Sequence, residues 1–173
     1  AEAAQTPATR RFADDEAAQR ALADTRPLDD VEPGEFDALF YPGGHGPLWD
    51  LAEDPHSIAL VRAALDAGRP VGAVCHGPAA LSRVTEADGS PLVKGRNVTG
   101  FTDTEEAAVE LVHVVPFSIE RDFIDKGARF TRGPDFGVHV VADGLLVTGQ
   151  NPASSEATAD RLIAALRESA AAA

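Results

Sequence analysis

Short apolar runs alternate with amphipathic stretches along most of this chain. Phe36-Asp37-Ala38-Leu39-Phe40-Tyr41 is mostly apolar and bounded by Pro42-Gly43-Gly44, which predicts a buried strand entering a tight loop. Asp54-Pro55 opens a helix with proline at its first position. Ile58, Val61 and Leu65 recur at helical spacing until Gly68 and Pro70 stop it. Pro70-Val71-Gly72-Ala73-Val74-Cys75 predicts a second buried strand, which His76-Gly77-Pro78 turns into a helix over Ala79–Val84. Strand, helix, strand, helix at this spacing is an α/β pattern: a doubly wound, mostly parallel sheet with helices on both faces.

The same alternation continues downstream. Asn97-Val98-Thr99-Gly100 predicts a short strand. Asp103 is placed to cap a helix over Glu105–Val112, whose acids sit at the positive end of its dipole. Pro116 breaks that pattern, and Ile119, Phe123 and Ile124 resume it up to Gly127. Arg129–Arg132 predicts a short strand, and Val138–Ala142 with Leu145–Thr148 flank Asp143-Gly144 as a two-residue hairpin. Asn151-Pro152 starts the last helix. Ala159, Leu162, Ile163 and Leu166 give it one apolar face, and Ala170–Ala173 form a fraying tail. Residues 1–30 are polar and weakly patterned. They predict a surface excursion of a single domain over 1–173, with one short helix at Asp15–Ala23 capped by Asp14. Ala1–Arg11 holds no apolar core of a signal peptide.

With 173 residues, 44% hydrophobic and 25% charged, the chain has material for one sizeable core. No apolar run approaches the roughly 18 residues of a membrane span. A net charge of −13, from 28 acids against 15 bases, disfavours nucleic acid and an anionic membrane surface as partners. A single cysteine makes no intrachain disulfide and points to a reducing cytoplasm. Methionine is absent, which reads as a removed initiator or a fragment.

That cysteine, Cys75, sits where a buried strand turns into a helix. Such a corner lifts a side chain out of the sheet, at the carboxyl end of a parallel strand where open α/β sheets bind ligands. The free N–H groups and positive dipole end of a helix N-terminus would lower its pKa. Cys75 is thus either a nucleophile or an inert buried thiol. His76 follows directly and reaches the thiol only if the corner is sharp. Asp103, Glu105 and Glu106 are candidates to orient its ring, or simply caps and solvated acids. Gly43-Gly44-His45-Gly46, at the end of the neighbouring strand, is either a turn or a loop whose N–H groups approach a developing oxyanion. It is not a dinucleotide fingerprint, because Trp49 holds the last position of the pattern. His45, His56, His76, His113 and His139 are scattered without paired ligand spacing, so no metal site is expected.

Together these motifs resemble the PfpI-like branch of the class I glutamine amidotransferase-like superfamily. The segments are Tyr41-Pro42-Gly43-Gly44-His45-Gly46 and Ala73-Val74-Cys75-His76-Gly77-Pro78, with Val98–Asp103 and Leu146–Ser154. The last two are similar to the glutathione-independent glyoxalase III subgroup, whose members are also described as heat-shock chaperones and protein deglycases. The resemblance covers residues 9 to 167. It implies a flavodoxin-like fold, usually a homodimer, with no metal or organic cofactor. Cys75 matches the nucleophile, His76 the triad histidine and Glu106 the triad acid. Gly44 and the backbone of His76 match the oxyanion donors, beside Gly43, and His45 lies next to the substrate.

The implied reaction turns methylglyoxal and related 2-oxoaldehydes into 2-hydroxy acids through a cysteine hemithioacetal, a lyase of D-lactate dehydratase type. A stress chaperone or deglycase, or a cysteine amidase or peptidase, is the alternative on the same fold. Glutamine amidotransfer is disfavoured, since no His-x-Glu pair stands near the C-terminus. The resemblance also implies a strand, a helix and a strand before residue 9, carrying a further glutamate. This sequence has no counterpart and reads as lacking that segment. A strand belonging to the middle of the sheet would then be absent, leaving the strands at Tyr41 and Cys75 with an unpaired edge or an exposed apolar face.

Overall fold

The structure, a computed structural model, describes residues 5–172. Residues 1–4 and 173 lie outside it, so the readings that touch them are met only from Gln5 to Ala172. Two compact units divide the chain, one up to Val31 and one from Glu32. The first holds α1 (Pro7–Asp14) and α2 (Glu16–Ala23), neither with a buried residue. Thr6 caps α1 in a box with Thr9, a helix the apolar pattern misses because Phe12 is its one large apolar residue. Asp15, not Asp14, caps α2: its carboxylate accepts from the N–H groups of Ala17 and Ala18.

The second unit is an α/β sandwich around a four-stranded sheet. Its strands are β1 (Leu39–Tyr41), β2 (Val71–Val74), β5 (Val140–Asp143) and β6 (Leu146–Gly149), in the order β1-β2-β6-β5. The first three neighbours run parallel, and β5 closes one edge antiparallel. Of the two strands expected to show an unpaired edge or an exposed apolar face, β1 does and β2 does not. β2 is paired on both sides, while β1 is an edge strand with Phe40 exposed. A second parallel pair, β3 (Asn97–Val98) with β4 (Arg129–Phe130), forms its own small sheet. The Asp143 carboxylate ties it to β5 by accepting from the backbone and side-chain amides of Asn97, each at 2.8 Å.

Helices cover both faces, because successive strand residues point to opposite sides. Val71, Ala73 and Leu146 pack with Val61 and Ala64 of α4 (Pro55–Asp66), a helix capped by Asp54 as expected. Gly72 and Val147 face α7 (Ser155–Ala172), where Leu162 and Ala165 are buried. Ile163 is exposed, so the α7 stripe is Thr158, Leu162 and Ala165 rather than the predicted set. The helix runs to Ala172.

Several boundaries differ from the sequence reading, each for a local reason. Residues Gly77–Leu81 form a 3-10 turn instead of an α-helix over Ala79–Val84. The hairpin turn is Gly144-Leu145, since Asp143 pairs with Leu146. α5 (Asp103–Ala108) is capped by Thr102 in a capping box with Glu105, not by Asp103, and ends well before Val112. α6 (Ile119–Asp125) buries Ile119 and Phe123 but leaves Ile124 exposed. The short α3 (Pro47–Asp50) carries no apolar repeat long enough to predict it. Among the described residues, no helix is long and apolar enough to cross a membrane.

Candidate active site

β2 ends at Val74, and the backbone bends sharply at Cys75, which sits at φ 62° in the left-handed region. A non-glycine residue there costs about 1–2 kcal/mol. Main-chain bonds on both sides hold the strain. The Cys75 N–H donates to the Gly149 carbonyl, and the Phe101 N–H donates to the Cys75 carbonyl, both at 2.9 Å. The bend brings consecutive side chains to one side: Cys75 Sγ lies 3.4 Å from His76 Nδ1.

Glycines make the space. A Cβ on Gly43 would stand 2.7 Å from the Cys75 Cβ and 3.1 Å from its Sγ. A Cβ on Gly77 would collide with the carbonyl oxygens of Tyr41 and Pro42, so the turn packs against the end of β1 only without a side chain. Gly77→Ala is expected to cost about 1–3 kcal/mol, as overpacking does where the backbone must shift. Urea denaturation measures it, and an unchanged midpoint would contradict this close packing.

The other face of His76 meets a carboxylate. His76 Nε2 is 2.7 Å from Glu106 Oε2, and His45 Nε2 is 2.9 Å from Glu106 Oε1. A carboxylate only accepts, so each imidazole donates through Nε2–H. That leaves His76 Nδ1 as a proton acceptor facing the thiol. His76 is buried, Glu106 nearly so, and His45 is a third exposed. The rings of His45 and His76 are tilted by 37° at 3.9 Å between centroids, and Phe101 packs on His76 at 4.3 Å.

Of the three candidate carboxylates, then, only Glu106 reaches His76. Asp103 faces away and pairs with Arg121 at 2.7 Å and Ser118 at 2.5 Å. Glu105 is fully buried and structural. Its oxygens accept from the N–H and hydroxyl of Thr102, the N–H of Phe136, and the side-chain amides of Gln150 and Asn151. The spacing Thr102-x-x-Glu105 is a capping box visible in the sequence. Phe136, at φ 55° and edge-on to Phe101, carries no such signal.

Burial pushes the Cys75 thiol above its ordinary 9.0, although N–H groups of Gly44 and His76 point at the sulfur and pull it down. Glu105 and Glu106 add to the rise. Burial likewise pushes His76 below 6.5 despite its bond to Glu106, and His45 lowers it further. The lowered thiol pKa expected from a helix N-terminus is therefore corrected. The turn after Cys75 is a short 3-10 piece, and desolvation outweighs it. Burial thus favours the neutral forms of both the thiol and the imidazole.

A cavity of about 470 Å³ opens beside α5, lined by Asp103, Glu106, Val112, Phe117 and Arg121 among others. It approaches the acid end of the row rather than the thiol.

An α/β sheet with a strained cysteine elbow, an adjacent histidine and an orienting carboxylate is an arrangement in which a thiol can be activated. Residues 20–165 match the DJ-1/PfpI family, and the chain belongs to it. It is 36% identical over 154 residues to the glyoxalase 3 of Candida albicans, covering 84% of this chain and 64% of that one. It is also 36% identical over 157 residues to the glutathione-independent glyoxalase HSP31 of Saccharomyces cerevisiae, covering 86% and 65%. The crystal structure of Candida albicans glyoxalase III superposes with a TM-score of 0.84 at 31% identity, over 90% of this chain and 69% of that one. The chain thus spans just under two thirds of the length of these two curated relatives.

Proposed function

We propose that this chain converts methylglyoxal and related 2-oxoaldehydes to 2-hydroxy acids without glutathione. The observation that carries the reading is the hydrogen-bonded row from Cys75 Sγ through His76 to Glu106, at the elbow of a chain similar to named glutathione-independent glyoxalases. Sγ attacks the aldehyde carbon while its proton passes to His76 Nδ1. Glu106, on Nε2–H, steadies the imidazolium that forms. The N–H groups of Gly44 and His76, already aimed at the sulfur, hold the oxyanion of the hemithioacetal. His45, beside Glu106, flanks the substrate, and Gly43 leaves it room.

His76 returns that proton to the oxyanion and, neutral again, takes the C1 proton while the C2 carbonyl oxygen is protonated, which gives an enediol. Its reprotonation at C2 leaves a thioester. Water then releases lactate and restores the thiol. Oxidation at C1 cancels reduction at C2, so the sum is methylglyoxal plus water and the scheme calls for no cofactor. Cys75 supplies the sulfur that glutathione would bring. In the same reading, the family resemblance adds D-lactate as the product isomer, a homodimer and a cytoplasmic setting. The test is lactate formation from methylglyoxal by the purified protein in glutathione-free buffer. A rate no faster than buffer alone sinks the reading.

A further inference from the structure

His45 and His76 stand far apart in sequence from Glu106, by 61 and 30 residues, yet both Nε2 atoms converge on its carboxylate. One ligand atom from each of the three residues lies within 4.8 Å of the others. Two imidazole nitrogens and one carboxylate oxygen are a donor set that holds Zn²⁺ and leaves a fourth position for water. The absence of paired spacing, which argued against a metal site, therefore concerned the sequence and not the fold.

We propose that His45, His76 and Glu106 form a zinc-binding site whose occupation switches the cysteine row off. Zinc about 2.0–2.1 Å from each donor sets tetrahedral donors about 3.4 Å apart, so the nitrogen–oxygen contacts of 2.9 and 2.7 Å must open as the ion enters between them. His45, on the loop between β1 and α3 and a third exposed, is the ligand with freedom to make that movement. Nitrogen-rich donors favour zinc over magnesium or calcium, which take oxygen ligands.

The proton balance explains the switch. Each ring now turns Nε2 to Glu106. Zinc needs the Nε2 lone pair, so on His76 the proton moves to Nδ1 of the same ring. Nδ1 of His76 is the atom 3.4 Å from Cys75 Sγ. Once protonated there, it has no lone pair to receive the thiol proton. Binding zinc and activating Cys75 are thus mutually exclusive states of one imidazole.

Zinc binding follows from the three ligands alone; its inhibitory effect rests on the proposed function. Calorimetric titration of ZnCl₂ into chelator-treated protein is expected to show one ion per chain. His45→Ala and Glu106→Gln should each weaken binding at least tenfold, on the order of a lost ligand or its support. Cys75→Ser should bind as tightly as the wild type, because Sγ is not a ligand. No binding, or binding indifferent to both ligand variants, overturns the site. Binding lost in Cys75→Ser alone moves the ion to the thiol and overturns it too. In parallel, lactate formation should stop with one equivalent of zinc and return with EDTA. If the protein makes no lactate at all, the proposed function fails while the calorimetry still decides the site.

Discussion

Cys75→Ala is expected to stop the proposed lactate formation, with a loss of about 10⁴-fold or more in kcat, the scale on which removal of a covalent nucleophile acts. The scheme has no other sulfur, since Cys75 is the single cysteine of the chain. His76 and Glu106 stay in place in the variant but have no proton to receive. The fold should tolerate the change. Alanine meets the same left-handed backbone as cysteine, and the lost sulfur costs about 1 kcal/mol of burial. Lactate assayed from methylglyoxal, beside a urea denaturation curve, separates lost chemistry from lost folding. Turnover within tenfold of the wild type would remove Cys75 from the reaction.

The largest effect on stability belongs to a residue without a place in the chemistry. Glu105 is fully buried and binds five donors from three parts of the chain: the start of α5, the loop at Phe136, and the segment Gln150-Asn151 that follows β6. Glu105→Ala leaves those donors without an acceptor, at a cost of about 3–5 kcal/mol. That is a large share of the roughly 5–15 kcal/mol that holds a domain of this size together. Glu105→Gln keeps the shape but turns a donor on donors, and should cost about 1–3 kcal/mol. Both are read from urea midpoints at pH 7.

The carboxyl also predicts a pH dependence. Burial pushes Glu105 upward, but the donors outweigh burial and hold it below its ordinary 4.5. A depressed folded-state value means that its stabilisation stands in full above pH 4.5 and is lost as pH falls through the folded value. The wild type should lose stability below pH 4.5, and Glu105→Gln should lack that part of the loss. Equal acid sensitivity in the two proteins would show that Glu105 is not the group responsible.

Neighbouring acids so differently employed show how far local pattern reaches. Strand, helix and strand around Cys75 are legible because apolar period and turn residues act within a few positions. Pro55, Gly68 and the Gly43-Gly44 pair mark boundaries that the structure keeps. The elbow itself is legible in Cys75-His76-Gly77-Pro78, since a strand that must turn at once into a covering segment bends there. Boundaries slipped where two local devices competed, as at Thr102 against Asp103. They slipped also where one residue of register decided, as in the hairpin at Gly144-Leu145.

Local order of residues thus determined the α/β class, the cysteine corner and the glycine loop beside it, because each depends on near neighbours along the chain. Tertiary structure alone decided which carboxylate meets His76, since Asp103, Glu105 and Glu106 share one helical turn and differ only in direction. It also decided that His45 shares that carboxylate from 61 residues away, and that burial raises the thiol pKa. Those properties are distances and solvent exclusion between remote segments, and they come into being only when the sheet, α5 and the loop after β1 close on one another.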